Sequence, residues 1–162
     1  SGYTVSFRSC RVVKPKIGGF RLGAFNQLEI DDLEIALPCI SAQNDGDNAP
    51  GSRGITEPLR NSLSAEKLIA AAGLDQRVSM LRVNGLRLFM TDRNLQRVSV
   101  VTSRSAKSSG ASSVTLEECE LLTEQMERIR VSKAKICFGE TILIEAPGRQ
   151  VNLSTLAENL SR

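Results

Sequence analysis

Apolar residues recur at every second position along most of this chain, the spacing of strands that bury one face. Tyr3, Val5 and Phe7 alternate with Thr4, Ser6 and Arg8. Val12-Val13 continues the apolar character until Pro15 and Gly18-Gly19 break it, and a short strand is predicted at Phe20-Arg21-Leu22. Leu28-Glu29-Ile30 and Leu33-Glu34-Ile35-Ala36-Leu37 also alternate, but one residue out of step with each other. That offset predicts a bulge or bend at Asp31-Asp32. From 41 to 57 the chain is dense in turn formers, among them Asn44-Asp45-Gly46-Asp47-Asn48 and Pro50-Gly51-Ser52, so a long surface loop is expected. Its acidic residues lack the alternate-residue spacing and closing Glu of a calcium loop. Beyond Pro58 the period turns helical, with Leu59, Leu63, Leu68, Ile69 and Ala72 on one stripe. One short amphipathic helix is predicted from about Ser64 to Ala72, with Ser62 or Ser64 as N-cap and Gly73 as its stop. Loop and helix together make an insertion at about 41–77.

Strand periodicity resumes at Val78. Leu86-Arg87-Leu88-Phe89-Met90 runs into a hairpin turn at Asp92-Arg93-Asn94. Val98, Val100 and Thr102 oppose Ser99, Val101 and Ser103, and Ser108-Ser109-Gly110-Ala111-Ser112 turns the chain again. The apolar side of the next strand must change near Glu117-Glu118. Ile129 and Val131 alternate with Arg128 and Arg130, Ile142 and Ile144 with Leu143 and Glu145, and Val151-Asn152-Leu153 is the last predicted strand. The phrase Arg97-Val98-Ser99-Val100 with Ala106-Lys107 returns as Arg128-Ile129-Arg130-Val131 with Ala134-Lys135, a recurring hairpin unit. Turns about every ten residues and a single helix for crossovers predict a mainly β fold. The expected architecture is an antiparallel meander forming an open jellyroll or sandwich, one domain over 1–162.

Composition narrows the function. The 162 residues carry a net charge of +3 with both signs interspersed, and no Trp, which argues against a nucleic-acid surface. No apolar run reaches the roughly 18 residues of a membrane-spanning helix. Ser1-Gly2 is read as the scar of a cut tag, so an anchor upstream is expected to have been removed. Histidine is absent, which removes the commonest general base and the commonest zinc nitrogen. With no recognisable spacing among the carboxylates, the chain is read as non-catalytic, without metal or cofactor. Cys10, Cys39, Cys119 and Cys137 admit three pairings in an oxidising compartment, or serve as four buried small apolar side chains; none forms Cys-x-x-Cys.

The run Leu86 to Asp92, Arg97 to Ala106 and Val114-Thr115-Leu116-Glu117-Glu118-Cys119, continued through Arg128 to Ala134, Ile142 to Ile144 and Val151 to Leu156, resembles the OstA-like, LptC-type proteins. Those are periplasmic β-jellyroll or "β-taco" domains that carry lipopolysaccharide acyl chains in an apolar groove. The resemblance covers about half the chain, and the aromatic usual before the Ala-containing turn is replaced here by Val98 and Val100. Gly19 to Leu33 is faintly similar to AsmA-type envelope lipid-transfer proteins. The resemblance implies a lipid-transport protein of the periplasm or cell envelope. Its lipid-binding lining would be Val98, Val100, Leu116, Leu121, Ile129, Val131, Ile142 and Ile144. Arg97, Arg104 and Arg128 would pair with phosphates at the groove mouth. Tyr3, Val5, Phe7, Val151 and Leu153 would form partner edges for β-groove proteins or self-association. The alternative expectation is a structural or protein-interaction β domain of the envelope whose apolar faces form a dry core.

Overall fold

The computed structural model describes residues 3–13, 16–17, 20–21, 26–38, 53–74, 78–108 and 113–162. In chain order its elements are β1 (Thr4–Ser6), β2 (Ser9–Val13), β3 (Lys16–Ile17), β4 (Phe20–Arg21), β5 (Gln27–Leu37), α1 (Arg53–Ser62), α2 (Ala65–Ala71), β6 (Met80–Thr91), β7 (Arg97–Ser108), β8 (Ser113–Leu122), β9 (Arg128–Phe138), β10 (Ile142–Ala146), β11 (Arg149–Asn152) and α3 (Leu153–Ser161). The fold is mainly β, as the periodicity predicts. Among the described residues nine strands form one open sheet in the order β1-β5-β6-β7-β8-β9-β10-β11, with β2 also on β5. β1 and β2 pair with opposite halves of β5, so they act as one interrupted edge strand.

Two features depart from the expected meander. β5 and β6 are parallel over ten residue pairs, from Gln27↔Met80 to Leu37↔Met90, so the sheet is mixed. Parallel neighbours need a crossover, and the stretch expected as a loop-and-helix insertion makes it. Second, the described residues form three helices rather than one. α2 lies where the single helix was predicted, capped by Ser64 Oγ on Lys67 N. It ends as expected at Gly73 (φ 73), with Leu74 N–H donating to Ile69 O and Gly73 N–H to Ala70 O, a Schellman close. α1 begins inside the predicted loop and runs through Pro58, and Ser62 Oγ–H donates to the Pro58 carbonyl at 2.6 Å. α3 replaces the predicted strand from Leu153 onward.

The core explains these helices. Leu28, Ile30, Leu33, Ile35 and Leu37 of β5 and Leu81, Val83, Leu86, Leu88 and Met90 of β6 are sealed from solvent. They join one cluster with Ile55 and Leu59 of α1, Leu63 in the turn after it, Leu68 and Ile69 of α2, and Leu153, Leu156 and Ala157 of α3. A short helix is marginal alone, and it is this burial that holds each one helical.

A row of kinks crosses five strands. On β5 the buried positions shift from even to odd numbers at Asp31-Asp32, and Asp32 has φ 55. Gly85 (φ 87) is its neighbour on β6, lying between the pairs Asp31↔Asn84 and Leu33↔Leu86. Arg104 continues the row on β7, Glu118 (φ 51) on β8 and Ser132 on β9, each skipped between paired neighbours. Every one of these strands changes its buried phase there, so both halves of each strand still present apolar side chains to one core. The bend predicted at Asp31-Asp32 and the side change at Glu117-Glu118 are two points on this row.

Candidate functional site

Five of the eight residues expected to line a groove, Val100, Leu116, Leu121, Ile142 and Ile144, are at most 1% exposed and belong to the core; Val98, Ile129 and Val131 pack half-buried against it. The three arginines are not gathered at one mouth. Arg97 lies with its guanidinium 5.4 Å from the Phe89 ring centroid, and Arg128 donates to the Ser99 carbonyl at 3.1 Å. Arg104 sits on the kink row, about 23 Å along β7 from Arg97 at the usual strand rise.

Of the expected edges, β1 is an edge strand. Val5 and Tyr3 are half-buried against the core and Phe7 is exposed beside it. At the other edge, Val151 lies on β11, but Leu153 is the first residue of α3 and fully buried. Asn152 Oδ1 accepts from Thr155 N at 3.1 Å, an N-cap that turns the chain out of the sheet at this point. Cys10, Cys119 and Cys137 are free thiols, each held protonated by burial that raises its pKa. Cys39 lies outside the described residues, as does the acidic loop at 44–48.

Where the kink row meets the edge, polar side chains converge. Ser9 Oγ–H donates to Asp31 Oδ2 at 2.6 Å, Arg11 Nη1 to the same oxygen at 2.8 Å, and Asn84 Nδ2 to Asp31 Oδ1 at 2.8 Å. Arg11 also reaches Glu29 through Nε at 2.9 Å, and Arg8 Nε reaches Asp32 at 2.8 Å. Asp31 thus ties β2, β5 and β6 together. The Ser9 hydroxyl, with Arg11 and Asn84, holds its carboxyl well below the usual carboxylate range. A carboxyl depressed in the folded state stabilises the fold above its unfolded pKa, and that contribution is lost as the pH falls. Asp31→Asn should therefore lower the urea midpoint at neutral pH. The gap to wild type should close as the pH drops below about 5. A gap constant down to acid pH would mean that the Asp31 charge contributes nothing.

Two hairpins reach the end of the sheet where α3 finishes. Arg93 N–H donates to the Leu160 carbonyl at 3.0 Å and Asn159 Nδ2 to the Glu124 carbonyl at 3.0 Å, so both turns are fastened to α3. At their tips Leu95 (φ 61) and Met126 (φ 65) occupy the left-handed region, which costs an ordinary residue about 1–2 kcal/mol. Toward the other end, a cleft of about 340 Å³ opens between the α1–α2 corner and the sheet, with Arg60, Leu63, Ala65, Val78, Val114 and Phe138 among its lining. The Arg60 guanidinium lies 5.9 Å from the Phe138 centroid, and its Nη1 bonds Glu57 at 2.9 Å.

Among the described residues no cluster of Cys, Asp or Glu is arranged to hold a metal, and no helix is long and apolar enough to cross a membrane. No protein-family model, curated protein or solved structure matches the chain.

Proposed function

We propose that this chain is a non-catalytic protein-interaction domain with a dry core, docking through the β1–β2 edge of its sheet, in the envelope setting that its resemblance implies. The burial of the expected lining carries this reading. Five of the eight side chains that a lipid groove would offer to acyl tails are buried in one cluster with residues of α1, α2 and α3, and the other three pack half-buried against it. The Asp31 carboxyl is tied up by three donors and the three thiols are protonated, so none of these groups is poised to exchange protons near neutral pH. Among the described residues no strand pairs with the outer side of the β1–β2 edge, where a partner strand would add by ladder hydrogen bonding. The four-residue β11 offers far less.

Native mass spectrometry of protein purified from a Gram-negative host tests the reading. The expected spectrum is the lipid-free mass. Retained adducts of acyl-chain mass would overturn the dry core in favour of the lipid-handling alternative.

A further inference from the structure

The β6–β7 and β8–β9 turns are built alike. Leu95 N–H donates to Asp92 O at 3.0 Å and Asp92 N–H to Gln96 O at 2.9 Å; Met126 N–H donates to Thr123 O at 2.9 Å and Thr123 N–H to Glu127 O at 2.8 Å. In both turns the residue at positive φ is one that glycine or asparagine would fill without strain, and in both it is a large apolar side chain. Neither is hidden: Leu95 is 76% exposed and Met126 44%. Strain and solvent exposure of an apolar group, repeated in neighbouring hairpins, point to a surface kept for contact.

The charges around the tips are sorted. Asp92 caps its own turn, its Oδ1 accepting from Asn94 N and Gln96 N, both at 2.9 Å, and Glu124 Oε1 accepts from Asn152 N at 3.0 Å. Glu127 lies 3.7 Å from Arg149. Arg93 and Arg97 are exposed beside the tips, and Arg128 is exposed there too, with Glu120 3.9 Å from its Nη1. We propose that this end of the molecule docks on an anionic lipid surface, with Leu95 and Met126 entering the acyl boundary and Arg93, Arg97 and Arg128 meeting lipid phosphates. The tips project singly among polar neighbours, Asn94, Gln96 and Gln125, all exposed. A protein partner would have to present a moulded hole for each tip, whereas a bilayer surface closes around any projecting side chain. The sign of the outward charge selects anionic headgroups. The inference rests on the hairpins alone and stands apart from the dry-core and edge-docking reading.

The chain has no Trp, so Leu95→Trp gives a fluorophore without background. On phosphatidylcholine vesicles containing phosphatidylglycerol its emission should shift to the blue, and on pure phosphatidylcholine it should shift little. Co-sedimentation of the full chain with the anionic vesicles should fall about tenfold or more in Leu95→Gly/Met126→Gly, since both apolar contacts are removed. Its melting temperature should not fall, because glycine suits the left-handed position. That separates lost docking from lost folding. Wild type that ignores anionic vesicles, binds both vesicle types alike, or is matched in binding by the double glycine variant would overturn the proposal. So would concentration-dependent self-association in sedimentation that disappears in the double variant, which would assign the tips to a protein contact.

Discussion

Leu156→Ala should lower the free energy of unfolding by about 2–5 kcal/mol, read as a drop in guanidinium midpoint at unchanged slope. Leu156 is fully buried on α3, a helix that touches β10, β11 and β6, strands at the far end and near the middle of the sheet order. Truncation removes apolar area and leaves a cavity whose walls are held by several elements and cannot collapse onto it. The exposed Glu158 on the same helix is the control, and Glu158→Ala should change stability by no more than about 0.5 kcal/mol. Equal effects at the two positions would show that α3 is a frayed tail and that the face beneath it is open to other occupants.

Gly85→Val should cost about 2–3 kcal/mol. Gly85 has φ 87, and a Cβ there would stand 3.0 Å from Asp32 Oδ1. A β-branched residue meets both penalties at once, the forbidden backbone region and the close neighbour. Asp32 cannot withdraw freely, since Arg8 holds its carboxylate and its own backbone sits at φ 55. Gly148 separates the two causes: its φ is 74 but nothing lies within 4 Å of the added carbon, so Gly148→Ala should cost only about 1 kcal/mol. Thermal unfolding measures both. Removing Asp32 in the background of Gly85→Val should recover part of the loss if the contact is real, and none if the strain is all in the backbone.

The strands were legible because burial imposes period two on them, and even the phase slips at Asp31-Asp32 and Glu117-Glu118 could be read from apolar residues falling out of step. Those slips as one aligned row could not, because alignment depends on cross-strand register, which no single strand encodes. The parallel pairing of β5 with β6 was hidden for a related reason. Leu28 to Leu37 alternate as a half-buried antiparallel strand would, and α1 was masked by Pro58 and by the turn formers before it. At α3 a short apolar phrase, Val151-Asn152-Leu153, fits strand and helix equally, and the Asn152 cap decides it only when its backbone partner is seen. The candidate sites were less legible. Apolar faces predict burial without saying what covers them, so groove lining and core read alike. The hairpin tips carried no signal, since a positive φ at Leu95 or Met126 runs against the preference of both residues.

The kink row works as a register key. A strand that slipped by two residues would keep its apolar face toward the core and lose little to an alternation test, so hydrophobic patterning alone permits that error. It would, however, carry its extra residue out of line with the neighbouring kink, setting a bent backbone against a straight one and stranding ladder hydrogen bonds on both. With Asp32, Gly85, Arg104, Glu118 and Ser132 abreast, each strand checks the next. A long, open sheet is thereby guarded against the misalignments to which its uniform alternation would otherwise leave it exposed.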